Sequence, residues 1–233
     1  MKHHLTQLHI EPFTTEREWT VDEIPVLSAA LSLPSPTDEG RTAARIRRFY
    51  RLQGRAFIRY CENLLLPAAA EEYRLALEAS RPLPCFRAEL GYTVTYNNDG
   101  FFSLYTQSRE PVRGTVSLLQ RRSDTWDLAA GYPVPLRDFF PKGSRWRQRL
   151  LDAASTQMQT QESAGISRWH EDWKRLLRRR FNPDHYYLTE DGLSFFYPMY
   201  ALGPAAEGIP VFSLPYGALF PSPAGQKKTP APF

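Results

Sequence analysis

Basic side chains recur at helical spacing in two stretches, and they are the residues best arranged to bind a ligand. Four of them follow one another at four-residue steps: Arg47, Arg51, Arg55 and Arg59. The second stretch holds Lys174, Arg175, Arg178, Arg179 and Arg180. Guanidinium groups bind phosphate and carboxylate, and nearby tyrosines and tryptophans can stack on bases. The two stretches predict either a binding site for an anionic polymer or a solvated basic surface. The candidate ligand-binding residues are Arg47, Arg51, Arg55, Arg59, Arg175, Arg178 and Arg179.

Cysteine chemistry is poorly supported by the sequence. Cys61 and Cys85 are the two cysteines, and their separation matches neither a zinc-ligand spacing nor a redox pair. Cys85 would act as a nucleophile only with His170 or His185 beside it as a base. No Gly-rich phosphate loop, nucleophile elbow or HExxH motif occurs in the sequence. We therefore predict no catalytic residue.

The histidines near the amino terminus raise the question of a metal site. His3, His4 and His9 lie close together, and neighbouring imidazoles can share an ion. No cysteine or carboxylate follows at a confirming spacing, so the histidines are interpreted as part of a polar terminus. We predict no metal and no cofactor.

The composition is that of a folded protein without a membrane span. The chain has 233 residues, 42% of them hydrophobic and 13% aromatic, which are values for globular proteins. Its 29 basic and 25 acidic residues leave a net charge of +4, which permits nucleic-acid binding without arguing for it. The amino terminus lacks the apolar core of a signal peptide, and no run of about 18 apolar residues occurs. We therefore expect the protein in the cytoplasm.

The first half of the sequence predicts strands, a long helix and an antiparallel meander. Residues 1–33 predict one or two strands with an extended arm, and Ser35, Pro36 and Asp38 form a helix-start signal. The helix is interrupted or restarted at Pro67. Its predicted apolar stripe consists of Ile46, Phe49, Tyr50, Phe57, Cys61 and Leu64. Alternation on both sides of Asp99-Gly100 predicts a hairpin, and strands are expected at 112–119 and 125–128.

The second half predicts two helices and a further set of strands. One helix begins near Ser144, and a second carries an apolar face that comprises Trp169, Trp173, Leu176, Leu177 and Phe181. Asp191-Gly192 predicts the turn of a second hairpin, followed by a strand at 209–214. We expect the aromatic residues of this hairpin to pack on the helix that bears Trp169 and Trp173.

Several motifs of the carboxyl half occur together in a known family. They are YYLTEDGL (186–193), FFYPMY (195–200), GPAAEGIP (203–210) and LPY (214–216), with WDL (126–128), Gly131 and LRDFF (136–140) upstream. This pattern resembles the domain of unknown function at the carboxyl end of bacterial RsiV-type anti-sigma factors and of PdaC-type proteins. The resemblance is clearest over residues 125–220.

The resemblance implies binding rather than catalysis. In the PdaC-type deacetylases the chemistry belongs to the other domain, and in the anti-sigma factors the resembling region is an extracytoplasmic sensor that binds lysozyme. Relatives often carry a histidine-containing stretch between the middle strands, whereas residues 107–114 of this chain offer Ser108, Arg109, Glu110 and Pro111. No ligand contact is therefore carried over.

Together these patterns predict an α+β protein with antiparallel sheets packed against helices. We expect one unit at residues 1–128, a second at 129–220 and a disordered tail at 221–233. The predicted function is that of a non-catalytic binding or sensor module for a protein or cell-envelope ligand. The alternative is nucleic-acid or anionic-polymer binding through the arginines, with nucleic acid the less favoured partner. The ligand and the oligomeric state stay open.

Overall fold

The computed structural model describes residues 5–111 and 117–219, the last two by their backbone only. It has the predicted α+β fold. The strands are β1 (Ile10–Val21), β2 (Ile24–Pro36), β3 (Phe86–Asn98), β4 (Phe101–Glu110), β5 (Leu118–Asp127), β6 (Tyr132–Pro133), β7 (Tyr186–Leu188), β8 (Gly192–Phe196) and β9 (Val211–Pro215). The helices are α1 (Arg41–Tyr60), α2 (Leu66–Glu78), α3 (Trp146–Ser163), α4 (Trp173–Arg179) and α5 (Tyr216–Leu219). None of the helices in this described part is long and apolar enough to cross a lipid bilayer.

Hydrogen bonds order these strands into two sheets, β1-β2-β3-β4-β5-β6 and β7-β8-β9. β1 and β2 form an antiparallel hairpin, whereas β2 and the first part of β3 pair in parallel. The predicted antiparallel meander therefore belongs to a larger sheet, and the parallel pairing of β2 with β3 was not predicted. β5 is one strand where the alternation predicts two, because a partly exposed strand tolerates the polar residues at 120–124. Residues 112–116 of the predicted strand at 112–119 lie outside the described residues.

The chain clusters into two compact units, each assembled from separate stretches. Unit 1 comprises Met1–Leu8, Thr93–Tyr105 and Leu119–Phe233, and unit 2 comprises His9–Tyr92 and Thr106–Leu118. Strands β3, β4 and β5 each contribute residues to both units. The boundary predicted at residue 128 falls inside unit 1, and the predicted tail at 221–233 lies outside the described residues.

Helix α1 of unit 2 begins later than its capping signal predicts. Ser35 and Pro36 are still paired with β1 at the end of β2, and the helix starts at Arg41. Asp38 does not cap the helix, because its Oδ2 accepts a hydrogen bond from the His9 amide at 2.7 Å. The long hairpin ladder with β1 thus outweighs the local preference of these residues for a helix start.

The apolar side of α1 packs on β2. Ile46 and Tyr50 are fully buried. Gly54 allows a close approach, since a Cβ atom there would lie 3.2 Å from Leu33 Cδ1. This packing holds the helix as a rigid element and leaves its opposite side exposed.

A π-helical segment, Cys61–Leu65, joins α1 to α2. Pro67 lies in the first turn of α2, so the predicted restart of the helix at this proline is confirmed. Two members of the predicted apolar stripe are wrong: Phe49 is 41% exposed and Leu64 is 60% exposed. The wider π turn brings Leu65 to the buried side in place of Leu64.

The sheet β7-β8-β9 of unit 1 packs with α3 and α4 around an aromatic core. Trp173 and Phe195 lie in this core, and Trp169 packs against it, which confirms the predicted packing of the hairpin. The helix is shorter than predicted because α4 begins only at Trp173. Before that point, the amide of His170 donates to the carbonyl of Leu202 at 2.9 Å instead of to a helical partner.

Two Asp-Gly pairs in unit 1 need glycine for different reasons. At Asp99-Gly100 both residues have positive φ, 52° and 82°, which is the left-handed geometry predicted for a tight hairpin turn. Gly192 does not have a positive φ. A Cβ atom at Gly192 would instead lie 2.0 Å from the carbonyl oxygen of Leu214 in β9. The hairpin predicted at Asp191-Gly192 is confirmed, but its glycine is required by the close approach of a neighbouring strand.

Candidate functional site

Helix α1 is strongly basic for its length. In 20 residues it has no acid and seven arginines: Arg41, Arg45, Arg47, Arg48, Arg51, Arg55 and Arg59. The nearest acids along the chain are Glu39 before it and Glu62 after it. Positive charges near the first turn oppose the helix dipole, and like charges at i,i+4 repel by roughly 0.2–0.5 kcal/mol per pair. Most of these arginines therefore do not stabilise the helix through their charge.

The four arginines predicted as a stripe on α1 have different environments. The guanidinium of Arg47 is partly buried and donates to the carbonyl of Pro36. That of Arg51 is exposed and lies 6.0 Å from the ring centroid of Phe13. Arg55 and Arg59 are exposed on the helix surface. The stripe therefore divides into two residues with contacts inside unit 2 and two that face solvent.

The exposed surface of α1 is wider than the predicted stripe. Two adjacent rows at seven-residue steps run along its middle: Arg41, Arg48 and Arg55 in one row, and Arg45, Leu52 and Arg59 in the other, all exposed. We call these six residues the arginine face. A strict four-residue step from Arg47 does not include Arg41, Arg45 and Arg48, so the predicted stripe left these three arginines out. The absence of any acid over the whole helix is the signal that would have found them.

Four arginines of the arginine face are not neutralised by ion pairs within the described part of the chain. Within residues 5–111 and 117–219, no ion pair involves Arg41, Arg48, Arg55 or Arg59. Carboxylates elsewhere in unit 2 pair with other arginines. Glu71, for example, lies 2.7 Å from Arg74. These guanidinium groups are thus available to an external anion.

The second predicted cluster, on α4 of unit 1, is accounted for by local structure. Arg175 donates through Nε to Asp172 Oδ2 at 3.1 Å, and this hydrogen bond lowers the pKa of the Asp172 carboxyl below its ordinary value. Arg178 and Arg179 are exposed in the last turn, where the helix dipole favours a positive charge. Lys174 Nζ lies 5.5 Å from the ring centroid of Trp173. The α4 cluster therefore has a structural explanation that the arginine face lacks.

A buried polar group lies beneath the carboxyl end of α1. The carboxylate of Glu110 is buried and accepts hydrogen bonds from Tyr60 Oη at 2.6 Å and Ser108 Oγ at 3.0 Å. Cys61 is fully buried, and burial, together with the charge of Glu110, raises the pKa of its thiol to about 11. A protonated, buried thiol is a poor nucleophile. Cys85 is exposed in the same unit, and its Sγ contacts the carbonyl of Phe86 at 3.8 Å.

The histidines considered for catalysis or metal binding have other contacts. His9 Nδ1 lies 3.1 Å from Asp38 Oδ1, whereas His3 and His4 lie outside the described residues. His170 Nε2 lies 3.4 Å from the carbonyl oxygen of Tyr200. The ring of His185 stacks on Phe196 at 4.8 Å between centroids, and burial lowers its pKa. In the part of the chain that the structure describes, no group of three His, Cys, Asp or Glu is arranged to hold a metal ion.

Comparison with known proteins identifies the carboxyl half. Residues 137–217 match the family model described as "Protein of unknown function (DUF3298)". The chain therefore carries a DUF3298 family domain. The matched segment includes α3, α4 and β7–β9 but not α1. No curated protein matches the chain.

Two crystal structures of DUF3298 family members share this fold. One is from Bacteroides fragilis, with a TM-score of 0.67 and 14% identity, over 91% of this chain and 92% of the other. The other is from Pseudomonas aeruginosa PAO1, with a TM-score of 0.59 and 17% identity, over the same shares of each chain. At these identities the likeness concerns the fold alone. It extends well beyond the DUF3298 domain itself.

Proposed function

We propose that this protein is a non-catalytic binding module and that the arginine face of α1 receives an anionic partner. The observation that carries the proposal is that this face has five exposed arginines on a helix without a single acid. Of the two functions predicted from the sequence, the anionic-polymer alternative is the one this geometry supports best. The candidate site narrows to α1, because the arginines of α4 are explained by local structure.

The chemistry of the face favours an extended anion. Guanidinium groups bind phosphate, sulfate or carboxylate through paired N–H donors. Arg41 and Arg59 are 18 positions apart, which is about 27 Å along a helix at about 1.5 Å per residue. A small anion would contact only part of such a row, whereas a polymer or a charged surface can contact its whole length. Binding would then weaken steeply with added salt, because counterions are released.

Titration with long-chain inorganic polyphosphate tests this proposal. We expect binding by the full chain that weakens as the salt concentration rises. A variant with Arg48→Gln, Arg55→Gln and Arg59→Gln is expected to lose roughly 100-fold in affinity, at about 1 kcal/mol per arginine. The matched control carries Arg175→Gln, Arg178→Gln and Arg179→Gln on α4, which removes the same charge. Equal losses in the two variants would mean that net charge, not the arginine face, determines binding.

The finer family assignment is also a proposal. We infer from the motifs at 186–216 that the DUF3298 domain is of the RsiV and PdaC type, which favours a protein or cell-envelope ligand for that domain. Co-sedimentation with purified cell-envelope material tests for an envelope ligand, and a lack of co-sedimentation in about 0.15 M salt would contradict that ligand and leave a protein ligand. The cytoplasmic location stays a prediction, which cell fractionation would check.

A further inference from the structure

An apolar side chain lies at the centre of the arginine face, and a second one lies beside the face. Leu52 is 49% exposed, and its neighbours on the helix surface include Arg48 four residues before it and Arg55 three residues after it. Phe49, one turn away, is 41% exposed. Exposed apolar and basic side chains therefore lie on the same part of the helix surface.

This combination fits the surface of a lipid bilayer. At the boundary between headgroups and acyl chains, apolar side chains leave water while arginines contact lipid phosphates. Each basic residue near an anionic bilayer adds to the electrostatic attraction. We infer that the arginine face docks on an anionic lipid bilayer, with Leu52 and Phe49 entering the headgroup layer. This inference rests on the proposed function and names its partner.

The packing of α1 determines how such docking would occur. An isolated amphipathic helix inserts its main apolar side, but here that side carries Ile46 and Tyr50 and is buried on β2. Insertion is therefore shallow and limited to the few exposed apolar side chains. Charge supplies most of the attraction, so binding depends strongly on salt and on anionic lipid. The helix is already folded, so binding does not have to order its backbone.

Nucleic acid is the competing partner, and the centre of the face argues against it. Single-stranded nucleic acids stack their bases on flat aromatic rings. The central apolar residue here is Leu52, which has no ring, and Phe49 lies to one side. A leucine at that position adds nothing to phosphate contacts along a duplex. Its exposure is better explained by an apolar layer below the phosphates.

Vesicle co-sedimentation tests the inference with the full chain. The probes are vesicles of equal parts phosphatidylglycerol and phosphatidylcholine, vesicles of phosphatidylcholine alone, polyphosphate and a DNA duplex, all in about 0.15 M NaCl. We expect binding to the anionic vesicles and not to the neutral ones. The Arg48→Gln, Arg55→Gln, Arg59→Gln variant is expected to bind anionic vesicles roughly 100-fold more weakly.

Leu52→Ser separates a bilayer from a soluble polyanion. Loss of one partly inserted leucine is expected to weaken vesicle binding about fivefold to tenfold, with polyphosphate affinity unchanged. Ile166→Ser is the matched control, because Ile166 is apolar and 72% exposed on unit 1, and it is expected to leave vesicle binding unchanged. Circular dichroism of each variant checks that it is folded.

Each outcome decides the inference. If polyphosphate binds and anionic vesicles do not, or if Leu52→Ser leaves vesicle binding unchanged, the bilayer inference is overturned while the proposed function stands. If the DNA duplex binds more tightly than vesicles and is indifferent to Leu52→Ser, nucleic acid replaces the bilayer. If no probe binds, the proposed function fails as well.

Discussion

The three-stranded sheet β7–β9 and the arginine face of α1 use their residues in opposite ways. Every residue of β8 is buried, and at Gly192 the backbone of β9 leaves no room for a Cβ atom. Every residue of the arginine face is exposed. The sheet lies within the family-matched segment, residues 137–217, and α1 lies outside it. Packing therefore explains Gly192 and the residues of β8 in the matched segment, whereas the candidate chemistry lies elsewhere in the chain.

The contrast has a physical basis. A buried backbone position is constrained from several directions, so even one added methyl group is costly there. An exposed charge interacts weakly with its own folded chain, so replacing it affects binding more than folding. The four predictions below test this contrast through the free energy of unfolding.

The largest loss of stability is expected for Gly192→Ala. The new Cβ atom would lie 2.0 Å from the carbonyl oxygen of Leu214, so β9 must move away and its pairing with β8 is disturbed. We expect a loss of about 3 kcal/mol or more in the free energy of unfolding, measured by urea denaturation. Gly91→Ala is the control, because Gly91 is also in a strand but has open space around its Cβ position. Similar losses in both variants would contradict the close-contact explanation.

A second prediction concerns the buried thiol at the end of α1. Because the pKa of Cys61 is raised to about 11 in the folded protein, its proton is held more tightly there than in the unfolded chain, where the ordinary value is near 9. Its contribution to stability is therefore complete below pH 9 and is lost as pH rises through about 11. We expect a loss on the order of 1–2 kcal/mol across that window.

The alkaline loss is measured by urea denaturation at several pH values. Cys61→Ala is expected to make the decline between pH 9 and about 11 less steep, because any cost of its cavity does not depend on pH. Cys85→Ala, at an exposed thiol, is the control and should keep the decline. If Cys61→Ala declines as steeply as the unaltered chain, the thiol does not cause the effect.

An intermediate effect is expected at the other Asp-Gly pair. Gly100 has a φ of 82° and open space at its Cβ position, so Gly100→Ala suffers only backbone strain. We expect a loss of about 1 kcal/mol, seen as a lower Tm. Gly100→Asn should lose less than alanine does, because asparagine tolerates the left-handed region. If alanine and asparagine lose equally, strain at positive φ is not the cause.

The smallest effect, and one of opposite sign, is expected for the arginine face. Arg48→Gln, Arg55→Gln and Arg59→Gln together relieve repulsion between like charges and should raise the free energy of unfolding by roughly 0.5 kcal/mol. The gain should shrink in about 1 M NaCl, where the charges are screened. A clear loss of stability would show that these arginines hold the fold together, which would remove the contrast with the sheet.

Much of the fold could be predicted from the sequence. The alternation around Asp99-Gly100 and the helical recurrence of Ile46, Tyr50 and Phe57 depend on residues close in sequence, and both predictions are confirmed. The helix start predicted at Ser35 is wrong, because pairing with β1 extends β2 through Pro36 and α1 begins at Arg41. Local signals therefore identify elements well and their ends less well.

The candidate site could be predicted only in part. Arg55 and Arg59 are exposed as a binding role requires, but Arg47 contacts Pro36, which sequence spacing does not reveal.

Hydrogen bonds between buried polar groups were not predicted from the sequence at all. Ser103 Oγ, for example, lies 2.7 Å from Thr125 Oγ1 and accepts a hydrogen bond from the amide of Leu188 at 2.9 Å. Those partners are 22 and 85 positions away.

The sequence alone determined the α+β class, the hairpins at Asp99-Gly100 and Asp191-Gly192, and the basic character of α1, because periodicity, turn residues and charge act between neighbours along the chain. Only the tertiary structure decided that the close approach of β9 requires glycine at position 192 and that Cys61 is buried beside Glu110. It also decided which arginines of α1 face solvent. Those features depend on strands and helices from distant parts of the chain, and contact between distant residues is set by the packing of the whole unit.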